Sequence, residues 1–210
     1  MTNSRVTIPT PYNESIRDYL PGSPDKLSLK RQLQQLGGAS IEIPLIIGGK
    51  NIKTGEVGRC ILPHDHSRSI ATYHKGNTET VNQAIAAAAE ARPAWAAMSW
   101  EARAAIFLRA ADLLSEKYRP VINAATMLNQ SKTAMQAEID AACELIDFWR
   151  FNPSYMEQIF AHQPISPPHM WNYMEYRPLE GFVFAVTVSY THLRAHETEA
   201  ELVCRLLLEK

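Results

Sequence analysis

Gly181-Phe182-Val183-Phe184-Ala185-Val186-Thr187 is an unbroken apolar run, the pattern of a β-strand buried on both faces of a parallel sheet. A parallel neighbour is reached only through a crossover of a dozen or more residues, usually a helix, so the run marks the opening of an α/β domain. The residues after Thr187 supply no further strand and helix pairs. The expected fold class is α/β with its sheet incomplete, four helices and one buried strand awaiting layers that this sequence does not hold.

Upstream of the run, Pro164, Pro167 and Pro168 break the chain before Trp171 to Arg177, whose alternation predicts a strand of a hairpin or flap. The helix before them is placed at about 134–150. Thr133 and Gln136 have the spacing of a capping box, and Ile139, Ala142, Cys143, Ile146 and Trp149 trace its inward stripe. Three more helices precede it. One is capped at Thr78, carries Val81, Ile85 and Ala88 on one side, and ends or kinks at Pro93. The next starts at Ser99, turns Ile106, Ala110 and Leu113 inward beside Phe107, Ala111 and Leu114, and stops at Arg119-Pro120. The last runs from Pro120 to about Asn129.

Nearer the start, Ile43 to Ile47 with Gly48-Gly49 reads as strand and turn. Glu56 to Leu62 and Ser69 to His74 read as two further short strands. Leu27 to Leu36 forms a short helix with Leu29, Leu33 and Leu36 in line, stopped by Gly37-Gly38. Residues 1 to about 26 hold Pro9, Pro11, Pro21 and Pro24, so this arm has no core of its own and needs a surface to lie against.

Composition narrows the function classes. Net charge is −1 with charged residues at 20%, so no basic excess exists to neutralise phosphates, and nucleic acid is excluded as a partner. No stretch approaches the roughly 20 apolar residues that span a bilayer, and no membrane partner is expected. Cys60, Cys143 and Cys204 form no CxxC pair, which fits a reducing compartment. The first 24 residues contain Glu14 and Asp18 and no apolar signal core, so neither a secretory signal nor a transit peptide is read there. A cytoplasmic location is expected, or the mitochondrial matrix in a eukaryote.

Several groups invite a functional reading. Asp140, Glu144 and Asp147 follow i, i+4, i+7 and make one helix face acidic, which ordinarily means a solvated face. Cys143 falls on the inward stripe and reads as a small core residue, not a nucleophile. His64-Asp65-His66 lies in a Pro-led loop after a strand with no further ligand pair nearby, so a surface loop is favoured over a metal site. His192 and His196 lack the intervening glutamate of a zinc peptidase motif, and Gly48-Gly49 lacks phosphate-loop spacing. Trp95, Trp100, Phe148 and Trp149 lie on helices and read as core. No metal ligand and no catalytic residue is assigned.

The run Gln136-Ala-Glu-Ile-Asp-Ala-Ala-Cys-Glu-Leu-Ile-Asp-Phe-Trp-Arg-Phe-Asn152, with Gln163-Pro-Ile-Ser166 and Arg177-Pro-Leu-Glu-Gly-Phe-Val183, closely resembles the 1-pyrroline-5-carboxylate dehydrogenase group of the aldehyde dehydrogenase superfamily. Ala104-Ala-Ile-Phe-Leu-Arg-Ala-Ala-Asp-Leu-Leu114 and Asn129-Gln-Ser-Lys-Thr133 are similar to it too, so the resemblance covers roughly residues 20–187. It implies oxidation of L-glutamate 5-semialdehyde to glutamate with NAD in proline breakdown, a small-molecule aldehyde substrate and a homo-oligomer. It implies the N-terminal part of an aldehyde dehydrogenase fold: residues 1–40 an arm and short helix, 41–187 a partial NAD-binding domain with part of the oligomerisation flap, 188–210 a tail foreign to the family. By the same resemblance, Val186 and Thr187 lie beside the cofactor at the end of the first sheet strand, where simple strand packing is the competing role. Glu144 faces the aldehyde tunnel, where a carboxylate can pair with a substrate ammonium.

The family would continue Pro-Phe-Asn-Phe, whose Asn helps hold the oxyanion, where this chain reads Val188-Ser-Tyr-Thr191. The family's nucleophilic cysteine and general-base glutamate belong further on, so the polypeptide is expected to be an inactive piece of the enzyme that does not bind NAD tightly. A second reading is a stand-alone helical interaction module over Thr78 to Asn152. In it Glu197 to Lys210 would form a helix, with Leu202, Leu206 and Glu209 near one line, that completes the core.

Overall fold

The computed structural model describes residues 6–185. Six α-helices and five strands follow the order α1 (Pro24–Gly37), β1 (Ile41–Ile43), β2 (Leu45–Ile47), β3 (Lys50–Ile52), β4 (Val57–Leu62), β5 (Asp65–His74), α2 (Thr78–Ala97), α3 (Trp100–Leu113), α4 (Arg119–Gln130), α5 (Ala134–Ala137) and α6 (Glu144–Ala161). Two π-helical segments, Leu114–Tyr118 and Glu138–Cys143, join α3 to α4 and α5 to α6.

The β element is small. β5 lies between β1, which it pairs in parallel, and β4, which it pairs antiparallel, while β2 and β3 form a separate hairpin. The single strand expected from Ile43 to Ile47 is divided, because Pro44 has no amide hydrogen to give a ladder. Gly48 and Gly49 close the hairpin at φ of 56° and 75°, a left-handed pair that glycine adopts without penalty. β5 starts four residues before the predicted Ser69, since irregularities at Cys60 to Leu62 let the ladder reach Asp65. His66 is therefore a strand residue, not part of a loop.

The helices follow their capping signals more faithfully than their prolines. Thr133 and Gln136 form the capping box, and Ser99 caps α3. α2 is capped by Asn77 with Thr80, one residue before the predicted Thr78. Pro93 and Pro153 end neither helix: α2 continues to Ala97 and α6 to Ala161, with Pro153 buried. One missing hydrogen bond does not stop a helix whose backbone ladder continues on both sides of it. For the same reason the predicted stop at Arg119-Pro120 becomes a junction, with Pro120 in the first turn of α4.

Three apolar clusters hold the element together. Ala111, Leu114, Ala142, Leu145 and Ile146 join α3 to α6, with Trp149 against them. Tyr19, Leu29 and Ala124 join the arm, α1 and α4, with Leu33 and Leu36 as the predicted stripe. Leu62, Ile70 and Ala71 seat the sheet against Leu128. Other predicted core positions stay on the surface: Val81 and Ala88 of α2, Ile106 and Phe107 of α3, and Ile139, Trp95 and Phe148 are exposed. Helical periodicity marks the side a helix can bury, and at these positions the described fold covers it only in part.

The segment after α6 also departs from expectation. Trp171 to Arg177 forms no strand. Side chains hold its loop instead: Met174 N donates to Gln163 Oε1 at 2.7 Å, Asn172 N donates to Ser166 Oγ at 2.9 Å, and the Tyr176 hydroxyl donates to the Ile159 carbonyl at 2.8 Å. Gly181 to Ala185 pairs with no strand, and Phe184 is 79% exposed. The residues Val186 and Thr187, Cys204 and the predicted tail helix lie outside the described residues.

The arm finds its surface on a buried polar centre. Arg119 and Glu138 are almost wholly buried and paired, Arg119 Nε donating to Glu138 Oε2 at 3.2 Å beside a shorter contact from Nη2. Glu138 also accepts from the Tyr19 hydroxyl at 2.6 Å, from Asn123 Nδ2 at 2.8 Å and from the Arg17 amide at 2.8 Å. Burial works to raise the Glu138 carboxyl, but the hydrogen bonds from Arg119 and Tyr19 outweigh it and hold it below the ordinary value of 4.5. A depressed carboxyl contributes stability that is complete above 4.5 and is lost as pH falls through the folded value. Replacing Arg119 by Met would leave the carboxylate buried without its partner, costing about 3–5 kcal/mol in urea unfolding at pH 7. In Glu138→Gln the fall in unfolding midpoint below pH 4.5 becomes shallower than in the parent chain.

Candidate substrate groove

α6 presents Glu144, Asp147, Phe148, Phe151, Asn152 and Tyr155 to one groove of about 340 Å³. Positions 144, 147, 148, 151, 152 and 155 repeat at three and four residues, so helical geometry alone brings them to one face. The seventh lining residue, Asn13, comes from the arm. The groove thus has one acidic corner and aromatic sides, chemistry suited to a small molecule with a positive group and a short apolar chain.

The acidic stripe does not behave as one solvated face. Asp140 is paired with Lys132 at 2.7 Å. Asp147 accepts Asn13 Nδ2 at 2.8 Å and the Glu14 amide at 2.6 Å, so it holds the arm. Glu144, the residue singled out for substrate, is half-buried at the groove. Three carboxylates with one spacing have three surroundings, and spacing could not distinguish them.

Behind the groove lies the polar centre. Glu14 reaches both Arg119 and Arg150, the latter at 2.7 Å, and the Arg150 guanidinium lies 4.2 Å over the Tyr12 ring. Arg119 Nη2 donates to the Ser15 carbonyl at 2.7 Å. The π segment matters to this placement: its wider turn brings Glu138 and Cys143, five residues apart, to the same side, where the thiol is 3.7 Å from Glu138 Oε1 and 3.4 Å from Arg119 Nη2. Of these residues only Cys143 was weighed as a site from the sequence. The available signal was Glu138 on the same stripe as Ala142 and Ile146, a charge at an inward position that demands a buried partner.

Cys143 is buried as its stripe position predicts, and burial, followed by the nearby Glu138 charge, pushes its thiol up to about 12. Such a thiol stays protonated at neutral pH and cannot serve as a nucleophile. His64 Nδ1 lies 3.2 Å from Ser131 Oγ, and Asp65 accepts from the Ser67 hydroxyl. No cluster of three or more metal-binding side chains forms among the described residues. Trp100 stacks on Phe160 at 6.1 Å and Trp149 packs on the α3–α6 core, whereas Phe148 faces the groove.

The sequence pattern of the aldehyde dehydrogenase family matches residues 52–188. The chain belongs to the aldehyde dehydrogenase family. It is 48% identical over 182 residues to the delta-1-pyrroline-5-carboxylate dehydrogenase of Agaricus bisporus, covering 86% of this chain and 33% of that protein. It is 42% identical over 175 residues to the human mitochondrial protein of that name, covering 83% and 31%. The crystal structure of delta-pyrroline-5-carboxylate dehydrogenase from Mycobacterium tuberculosis bound with NAD superposes with a TM-score of 0.86 at 45% identity, covering 88% of this chain and 35% of that one. The described residues thus form the N-terminal part of an aldehyde dehydrogenase fold, and the chain spans about a third of the length of the curated relatives it matches.

A dinucleotide in an open α/β sheet needs adjoining parallel strands and their carboxyl-end crevice. Phe182 to Ala185 has no ladder partner among the described residues and exposes its side chains. No described helix is long and apolar enough to cross a membrane. In the folded chain at pH 8, Cys143 is expected to resist iodoacetamide and to react fully after denaturation, as read by peptide mass spectrometry.

Proposed function

We propose that this chain is the helical start of an enzyme that oxidises L-glutamate 5-semialdehyde, derived from 1-pyrroline-5-carboxylate, to L-glutamate with NAD in proline degradation. The observation that carries the reading is the α6 groove: Glu144 offers a carboxylate for the substrate ammonium, and Phe148, Phe151 and Tyr155 flank the space for its methylene chain. The similarity to proteins named for 1-pyrroline-5-carboxylate, one of them bound with NAD, supports the substrate and cofactor assignments.

The 210-residue polypeptide does not turn over by itself in this account. Cys143 is held protonated in a polar centre, and the family's thiolate, base and oxyanion asparagine have no counterpart among the residues described. Val186 and Thr187 would approach the cofactor only when Gly181 to Thr187 joins a sheet, with residues 41–187 as part of the NAD-binding domain and flap and 188–210 as a separate tail. The exposed Trp171, Phe182 and Phe184 support that need for neighbours and a homo-oligomeric whole enzyme. The cytoplasm, or in a eukaryote the mitochondrial matrix, is the matching location; the human relative is named as mitochondrial.

Incubation of the purified chain with glutamate semialdehyde and NAD is expected to give no NADH above background; steady NADH production would contradict the proposal. Glu144→Gln is expected to weaken binding of L-glutamate to the chain by about tenfold in an NMR titration, the loss of one charge-assisted hydrogen bond. Unchanged affinity in that variant would remove Glu144 from the substrate site.

A further inference from the structure

His74 ends β5 with its side chain almost wholly buried, and both of its ring nitrogens are engaged. Nδ1 accepts two successive backbone amides, from Thr54 at 3.1 Å and from Gly55 at 3.2 Å. Nε2 lies 2.9 Å from Glu42 Oε1. A ring nitrogen that accepts N–H groups carries no hydrogen of its own, so this arrangement requires the neutral ring, with its one proton on Nε2 donated to the Glu42 carboxylate. We infer that His74 is a proton-sensitive latch on the turn from Lys53 to Glu56: the neutral ring holds the turn, and the protonated ring releases it.

What the latch holds follows from the sheet topology. The β2–β3 hairpin is not hydrogen-bonded to the β1–β5–β4 sheet, and the chain leaves it for β4 through this turn. His74, on the middle strand of the sheet, therefore ties the exit of the hairpin to the sheet. A proton on Nδ1 would set three N–H groups against one another with no acceptor between them, so the Thr54 and Gly55 amides cannot keep their present place beside an imidazolium. Other bonds limit the movement. The Thr54 hydroxyl donates to the Lys75 carbonyl at 2.9 Å and the Lys75 amide to the Glu56 carbonyl at 2.8 Å, neither through the ring, so release frees the two amides and leaves the strand pairing in place.

The charged groups of this network are Glu42 from β1, Lys53 and Glu56 from the turn, and Lys75 after β5, while β4 sets the uncharged Val57 opposite His74. Lys53 holds the second oxygen of Glu42, and Lys75 is 3.1 Å from Glu56. Hydrogen bonds from Lys53 and then His74 keep the Glu42 carboxyl below its ordinary value, so it remains an anion while an imidazole titrates, and its charge favours the imidazolium.

The experiment follows the 210-residue chain by NMR as pH is lowered from about 8 to about 5, reading the His74 ring signals together with the shifts and exchange protection of the Thr54 and Gly55 amides. The expected result is a ring protonated on Nε2 alone at the start, then a fall of about tenfold or more in protection of both amides at the midpoint of the ring titration. In Glu42→Gln that shared midpoint moves to lower pH. In His74→Asn, whose amide oxygen takes the place of Nδ1 and does not titrate, the two amides show no step. Amides that stay protected while the ring titrates overturn the latch, as does a ring that remains neutral until the chain unfolds, or a step that persists in His74→Asn. Co-titration in the parent chain decides the matter without either variant.

Discussion

The buried pairing of Arg119 with Glu138 is the constraint on which the rest of the described structure depends. Two unpaired charges in that interior would each cost several kcal/mol, so neither residue is tolerable there without the other and without donors for the remaining lone pairs. The donors come from far along the sequence: Tyr19 and the Arg17 amide from the arm, Asn123 from α4. A proline-rich segment with no core of its own is thereby made part of the fold. The same centre joins α4 to the α5–α6 unit, and both π segments border it, one ending just before Arg119 and the other starting at Glu138.

The groove follows from that arrangement. Once Glu14 is committed to Arg119 and Arg150, Asn13 before it is held on Asp147 and lines the groove with the α6 aromatics. Stability and binding chemistry therefore share a few side chains. The arm is at once the cover of the polar centre and the edge of the site, which couples a change in one to the other.

How much of this was legible in the sequence depends on how local the cause is. The Thr133–Gln136 capping box, the Ser99 cap, the Gly37-Gly38 stop and the Gly48-Gly49 turn act within a few residues and are found where the sequence places them. Pro93 does not end α2, because one lost backbone hydrogen bond is a small part of a helix whose ladder continues on either side. Ile106, Phe107 and Trp95 carry the periodicity of buried faces yet are exposed, since periodicity reports what a helix is made to bury and not whether a neighbour is present. The family was readable from the wording of the α5 to α6 stretch, and the same resemblance singled out Glu144, which lines the groove. Asn13 and Glu14 were not readable, because their partners lie more than 100 residues away.

The most direct test of the central claim is native-state hydrogen exchange of the Glu14 and Arg17 amides, which donate to Asp147 and Glu138. The clamp predicts that the Arg17 amide exchanges as slowly as the core amides of α4 and α6, opening only with global unfolding, with Glu14 also strongly protected. Exchange of both at the rate of an unstructured peptide, while α4 and α6 stay protected, would show that the fold stands without the arm and would contradict the account.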